Sequence, residues 1–150
     1  MENHIVIIGN GIAGITTARH IRKNDSEAKI TVISAETEHF FSRTALMYIY
    51  MGHMRYKDTK PYEDWFWSKN RIDLVNGYVN SIDFDNQTLN LNNQKIQYDK
   101  LVIATGSIPN KFGWKGQDLP GVQGLYSKQD LDLLEESTKD NKVKRAVIVG

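Results

Sequence analysis

Residues 5–14 read Ile5-Val6-Ile7-Ile8-Gly9-Asn10-Gly11-Ile12-Ala13-Gly14. An apolar run leads into three glycines at the spacing G-x-G-x-x-G, and Ile12, Ile15, Ala18 and Ile21 then recur at helical spacing. Strand, glycine turn and helix in that order make a dinucleotide-binding βαβ unit. Gly9 permits the tight turn out of the strand. Gly11 lets the backbone come close to a pyrophosphate, and Gly14 lets the helix pack closely on the strand. The helix start at Ile12 and Ala13 offers N–H groups and a partial positive charge to phosphates. A second strand follows at Ile30-Thr31-Val32-Ile33. Glu36 lies just beyond it, 22 residues after Gly14, where a carboxylate accepts hydrogen bonds from ribose hydroxyls.

Composition narrows the function classes. A chain of 150 residues is long enough for a real core. A net charge of +1 gives no electrostatic basis for nucleic-acid binding. The absence of cysteine removes disulfide scaffolding, thiolate metal sites and thiol redox chemistry from these residues. No apolar run approaches the roughly 20 residues of a membrane span. The chain enters a strand at once, so no signal peptide is expected, and a soluble cytoplasmic protein is the default. His4, His20, His39 and His53 share no spacing suited to a metal, so no metal site is expected. His39 alone lies near the presumed cofactor loop.

Outward from Glu36, Phe40-Phe41-Ser42-Arg43 is an aromatic loop, and Thr44 to Met51 reads as a short helix that stops at Gly52. Pro61 suits the first position of another helix, with Glu63 and Asp64 in its first turn. That helix carries Trp65-Phe66-Trp67, which cannot all face one way; two separate packing contacts and a ligand surface remain the alternatives. Ile72 to Val75 is a short strand. Period-two patterning at Val79, Ile82, Leu89, Leu91, Ile96 and Tyr98, with turns at Asp85-Asn86 and Asn92-Asn93, predicts an antiparallel meander. Leu101-Val102-Ile103-Ala104 is apolar throughout, as a parallel strand buried on both faces would be, and ends in Thr105-Gly106-Ser107. An irregular stretch reaches Gly124. Ser127 then caps a helix over Lys128–Lys139, with Leu131, Leu133 and Leu134 as its apolar positions. Finally Ala146-Val147-Ile148-Val149-Gly150 repeats the character of Ile5-Val6-Ile7-Ile8-Gly9 and reads as the strand opening a second nucleotide unit, with an ordinary last strand as the alternative.

Together these features resemble the FAD-dependent pyridine nucleotide-disulfide oxidoreductase superfamily. The resemblance rests on Ile5–Gly14, Glu36, the meander, Tyr98-Asp99-Lys100-Leu101-Val102-Ile103-Ala104-Thr105-Gly106-Ser107-Ile108-Pro109 and Val147–Gly150. It implies an α/β, Rossmann-like FAD/NAD(P)-binding domain: a parallel sheet with an inserted antiparallel β-meander. It also implies that residues 1–110 are the first, incomplete part of an FAD-binding domain, and that residues 111–150 are a connection and the start of a truncated NAD(P)H-binding domain. The FAD ligands carried over are Gly9, Gly11, Ile12, Ala13, Gly14, Glu36, Val79, Ala104, Thr105 and Gly106. Within the superfamily, Phe41-Ser42-Arg43 looks like the branch of rubredoxin, ferredoxin and nitrite reductases, where Arg43 would lie on the FAD ribose or diphosphate. A surface ion pair with Glu36 or Glu38 is the alternative for Arg43.

The absence of cysteine departs from the thiol-based branches, and Thr44 and Tyr48 depart from ferredoxin reductases, which often carry Pro and Lys there. The expectation is an N-terminal FAD-binding fragment, inactive alone, of an enzyme passing electrons from NAD(P)H through FAD to a redox protein, a quinone or a small molecule. A peripheral NADH:quinone oxidoreductase and a non-catalytic nucleotide-binding module are the alternatives. Self-association into a homo-oligomer is also expected. No catalytic acid or base is named.

Overall fold

The computed structural model describes residues 3–92, 94–141 and 143–149. Asn93 of the second meander turn and Gly150 therefore lie outside the described residues. The chain falls into two compact units, Met1–Phe41 with Lys60–Ser107, and Ser42–Thr59 with Ile108–Gly150.

The first unit is built on strands β1 (His4–Ile8), β2 (Lys29–Ser34), β3 (Ile72–Asn76) and β7 (Lys100–Ile103), all parallel, in the order β3-β2-β1-β7. Their register sets Ile5 beside Ile30 and Lys100, and Ile30 beside Ile72. Strand side chains alternate between faces, which sorts the core into two layers. Ile5, Ile7, Ile30, Val32 and Ile72 face helix α1 (Ile12–Asn24) and helix α3 (Trp65–Lys69), meeting Ile15, Ala18 and Trp67. Val6 and Ile33 face the other way, onto Leu89, Leu91 and Tyr98. Those belong to or adjoin the meander of β4 (Val79–Asp83), β5 (Thr88–Leu91) and β6 (Gln94–Gln97), a separate antiparallel sheet ordered β4-β5-β6. The fold class is the one expected, with helices on one face of a parallel sheet and the meander on the other. Each fully buried Ile in these layers contributes about 2 kcal/mol relative to an exposed one.

Arg22 holds the end of α1 in place. Its Nε donates to the Asn70 carbonyl (2.8 Å), Nη1 to the carbonyls of Asp25 and Ser26, and Nη2 to those of Ala28 and Arg71. One guanidinium thus serves five backbone acceptors in two loops.

The second unit contains a 3₁₀ turn at Arg43–Ala45, helix α2 (Leu46–Tyr50), a 3₁₀ turn at Tyr56–Thr59 and helix α4 (Lys128–Thr138). Gly52 ends α2 with φ +76°, its N–H bonded to the Ile49 carbonyl. The cap on α4 is as expected. Ser127 Oγ accepts the Asp130 N–H (3.0 Å), and the Asp130 carboxylate accepts the Ser127 N–H (2.8 Å).

Four expectations are corrected. Among the described residues β7 lies at the edge of the sheet, paired with β1 alone, and Ile103 is 57% exposed rather than buried on both faces. The stretch 146–149 forms no strand, and Ile148 is 96% exposed. A strand needs a partner for its N–H and C=O groups, and none pairs with it among the described residues. Helix α3 begins at Trp65, not Pro61, because Asp64 takes the N-cap position, with its carboxylate on the Lys60 ammonium (2.6 Å) rather than on a backbone N–H. Leu133 on α4 is exposed while Leu131 is buried, since residues two apart point to different sides of a helix.

The aromatic run resolves into packing. Trp67 is buried, Phe66 stacks on Tyr62 with ring centres 4.5 Å apart, and Trp65 faces outward beneath the Lys69 ammonium. No helix is long and apolar enough to cross a membrane among the described residues.

Candidate functional site: the glycine turn at the carboxyl ends of the strands

The glycine turn joins β1 to α1 at the carboxyl ends of the strands, the end where open parallel sheets bind ligands. Gly9 has φ +110°, and a Cβ there would stand 2.2 Å from the Ala104 carbonyl oxygen. The turn therefore runs against the end of β7 with no room for a side chain. The Gly9 N–H bonds to the Ile33 carbonyl (2.8 Å), and the Ala104 N–H to the Ile8 carbonyl (2.8 Å). At Gly14 a Cβ would meet the Gly9 carbonyl oxygen at 1.9 Å, which fixes how closely α1 follows the strand. Gly11 is different: a Cβ there meets nothing within 4 Å. The space above Gly11 is open, and its absent side chain relieves no clash within the protein. It leaves an approach to the backbone for something from outside.

The first intrahelical bond runs from the Ile15 N–H to the Gly11 carbonyl (3.0 Å). The N–H groups of Ile12, Ala13 and Gly14 thus lie at the open end of α1, where the helix dipole favours an anion. The Gly11 backbone caps the helix without a side-chain hydrogen bond, and Ile12 is exposed.

Asn10, between the two glycines, is 8% exposed, and its Nδ2 donates to the Thr37 carbonyl (2.7 Å). Ser34, the last residue of β2, accepts the Glu36 N–H on its hydroxyl (3.3 Å), and its carbonyl accepts the Gly77 N–H (2.9 Å). Gly77 in turn leads into β4, so Val79 begins the meander two residues from the Ser34 contact. Val79 packs at the edge of the cluster containing Val6 and Leu91. Gly9 is thus in contact with Gly14, Ala104 and Ile33, and Ser34 joins the backbone of Glu36 to the turn that leads to Val79, at the ends of β1, β2, β3 and β7. Sequence reading missed Asn10 and Ser34. The signal for Asn10 is a polar side chain set between two glycines of the fingerprint.

Arg43 belongs to the second unit. Its Nη1 donates to the Tyr126 carbonyl (2.5 Å), and its guanidinium lies 4.5 Å from the centre of the Tyr126 ring. Tyr126 is itself held by Asp130, which accepts its N–H (2.9 Å). Burial pushes the Asp130 carboxyl up, but the N–H groups of Ser127 and Tyr126, the Ser127 hydroxyl and the Arg43 charge hold it below its ordinary value. His39 is mostly buried in the loop after Glu36, between Glu38 (3.8 Å) and Asp64 (3.6 Å) and beside Trp67. Among the described residues no three His, Asp or Glu side chains gather where a metal could sit. A recess of about 470 Å³, lined by Thr16, Thr17, His20 and Asn24 of α1 with Ile5 and Lys100, opens at the other end of the strands from the glycine turn.

Residues 3–150 match the family model described as pyridine nucleotide-disulphide oxidoreductase. The chain belongs to this family. The family is one of oxidoreductases that use FAD and NAD(P)H. The ferredoxin–NAD(+) reductase subunit of the benzene 1,2-dioxygenase system of Pseudomonas putida is 35% identical over 153 residues, covering 100% of this chain and 37% of that protein. The sulfide-quinone reductase of Aquifex aeolicus is 36% identical over 119 residues, covering 79% of this chain and 27% of that protein. Among solved structures, the NADH:rubredoxin oxidoreductase from Clostridium acetobutylicum superposes with a TM-score of 0.77 at 28% identity, over 93% of this chain and 36% of that one. The chain therefore spans between about a quarter and little more than a third of the length of these relatives.

The glycine turn of this family member fits the adenosine diphosphate half of FAD. Open space over Gly11, a helix end with donor N–H groups, and a carboxylate after β2 are what a diphosphate and a ribose require.

Proposed function

We propose that this chain is the N-terminal FAD-binding part of a longer reductase that passes electrons from NAD(P)H through FAD to a separate acceptor. The open approach over Gly11 is the single observation that supports it best. On this reading the N–H groups of Ile12, Ala13 and Gly14 hold the diphosphate, with Gly9 and Gly11 leaving the backbone bare. Glu36 accepts hydrogen bonds from the ribose hydroxyls, the Val79 backbone meets the adenine, and Ala104, Thr105 and Gly106 flank the diphosphate. FAD, when bound, accepts a hydride and releases electrons; the protein's part is to bind, orient and tune it. Residues 1–110 are the first part of the FAD-binding domain, and residues 111–150 are the connection and the opening of the NAD(P)H-binding domain. The cytoplasm, where NAD(P)H is at hand, is the proposed compartment.

A redox protein is the proposed acceptor, in line with the ferredoxin and rubredoxin named for two relatives. A quinone is the second reading. It is favoured by Met47, Tyr48 and Met51 on and after α2, which expose apolar side chains, and by the quinone named for a third relative. The test is to purify the protein at its full natural length and add FAD, then NADH without oxygen. A yellow protein whose 450 nm band bleaches, and which then reduces a ferredoxin faster than a soluble quinone, is the expected result. A protein that stays colourless with added FAD sinks the enzyme reading.

A further inference from the structure

We propose that Asn10 is a positioning residue that sets the Glu36 carboxylate for the vicinal hydroxyls of a nucleotide ribose. The inference rests on the reading of Glu36 as a ribose ligand and adds the residue through which the glycine turn controls it. Asn10 is almost fully buried between Gly9, where a side chain would run into the Ala104 carbonyl, and Gly11, where the space is open. Its amide does not serve the turn in which it sits. It crosses 27 positions of sequence to donate to the Thr37 carbonyl at 2.7 Å. A carbonyl only accepts, so the NH₂ end of the amide must face it.

Glu36 is thereby held from both sides. Its own N–H rests on Ser34 Oγ at 3.3 Å, and the carbonyl of the next residue rests on Asn10. Thr37 Oγ1 donates to the His39 carbonyl at 2.9 Å, which continues the fixed path of the loop. The Glu36 side chain has three rotatable bonds, so its carboxylate can be aimed only if its backbone is fixed. Without the Asn10 bond, the loop after β2 loses one side of this clamp. A carboxylate that must find the ribose from a mobile backbone loses much of the advantage of preorganisation. The same side chain stands beside Gly11, where the diphosphate approaches. The aim of the carboxylate at the ribose hydroxyls is therefore set by one buried amide.

Binding isotherms on this chain with ADP and with 2′,3′-dideoxy-ADP test the inference. The wild type should prefer ADP by roughly tenfold or more, the effect of a charge-assisted hydrogen bond made with one ligand and not the other. Glu36→Ala should abolish that preference. Asn10→Ala should remove most of it while leaving the affinity for the dideoxy compound within about twofold of wild type. Asn10→Asp keeps the shape of the side chain and replaces the donor with an acceptor facing the Thr37 carbonyl, and it should do the same. It provides the measurement should Asn10→Ala fail to fold. A loss that is equal for both ligands would mean that Asn10 only shapes the turn, and would overturn the proposal. So would an ADP preference that survives in the Asn10 variants while Glu36→Ala abolishes it. If Glu36→Ala leaves the preference untouched, the reading of Glu36 is what fails, and the proposal falls with it.

Discussion

Gly9 and Gly11 look alike in the sequence and stand two residues apart, but their physical demands are opposite. Gly9 combines φ +110° with a Cβ position 2.2 Å from the Ala104 carbonyl oxygen. Alanine there has to displace backbone, and the sheet edge with it. At Gly11 the added methyl stands in empty space. Gly11→Ala should therefore keep its melting temperature within about 2 °C of wild type, yet bind ADP at least tenfold more weakly, because the methyl occupies the approach of the pyrophosphate. Gly9→Ala should lose several kcal/mol of stability. Melting curves and ADP titrations separate the two, and Gly11→Ala binding ADP as well as wild type would end the fingerprint assignment. The glycine spacing was legible because it is local. Asn10 and Arg22 were not, because their partners lie 27 and up to 49 positions away. No periodicity or spacing marks a side chain that reaches a distant carbonyl.

Among the elements, strands were found where the chain supplies them a partner, and misjudged where burial depends on a neighbour. The apolar run of β1 is buried because β2 and β7 flank it. A similar run at 146–149 stays exposed, and β7, apolar from Leu101 to Ile103, has one neighbour among the described residues. Hydrophobicity alone could not distinguish these three. The start of β1 carries a further feature without a sequence signature. The backbone N–H of His4 donates to the Asp99 carboxylate (2.6 Å), and its ring meets Thr31 Oγ1 (2.9 Å), which ties β1 to β2 and to the entry of β7. Burial, reinforced by the Lys29 charge, lowers the His4 pKa below its ordinary value, so the folded strand prefers the neutral ring. The folded state thus binds this proton less readily than the unfolded chain. The stabilisation is full above the ordinary histidine value of about 6.5, and is lost as pH falls through the lower folded value. The melting temperature of the wild type should therefore drop between pH 7.5 and pH 5. His4→Gln should show a smaller drop over that interval, and equal slopes in the two proteins would remove His4 from the acid response.

For the molecule as a whole, the parallel sheet, the meander and the nucleotide turn were all readable, since each follows from local pattern and a short connection. Which residues keep company across long loops was not: the segment Ser42–Thr59, carrying Arg43, groups with Ile108–Gly150. That division bears on what the chain can bind. The residues proposed for adenosine diphosphate, from Gly9 to Gly14 with Glu36 and Val79, all lie in the first unit, which has its own core in two layers. The flavin ring is another matter. A planar ring gains affinity where apolar and polar groups bury most of its surface. At the end of β7, Ile103 and the residues Thr105 and Gly106 are exposed, and the chain covers 37% of its ferredoxin reductase relative. The expected outcome is that ADP and FAD bind this chain with affinities within about tenfold of each other, since the flavin half adds little when it remains in water. In the protein at full natural length FAD should bind far more tightly than ADP, while ADP changes little. Paired isotherms on both proteins decide it. An FAD affinity a thousandfold above that of ADP on these 150 residues alone would mean that the flavin pocket is already complete, and the proposal of an N-terminal part would fail.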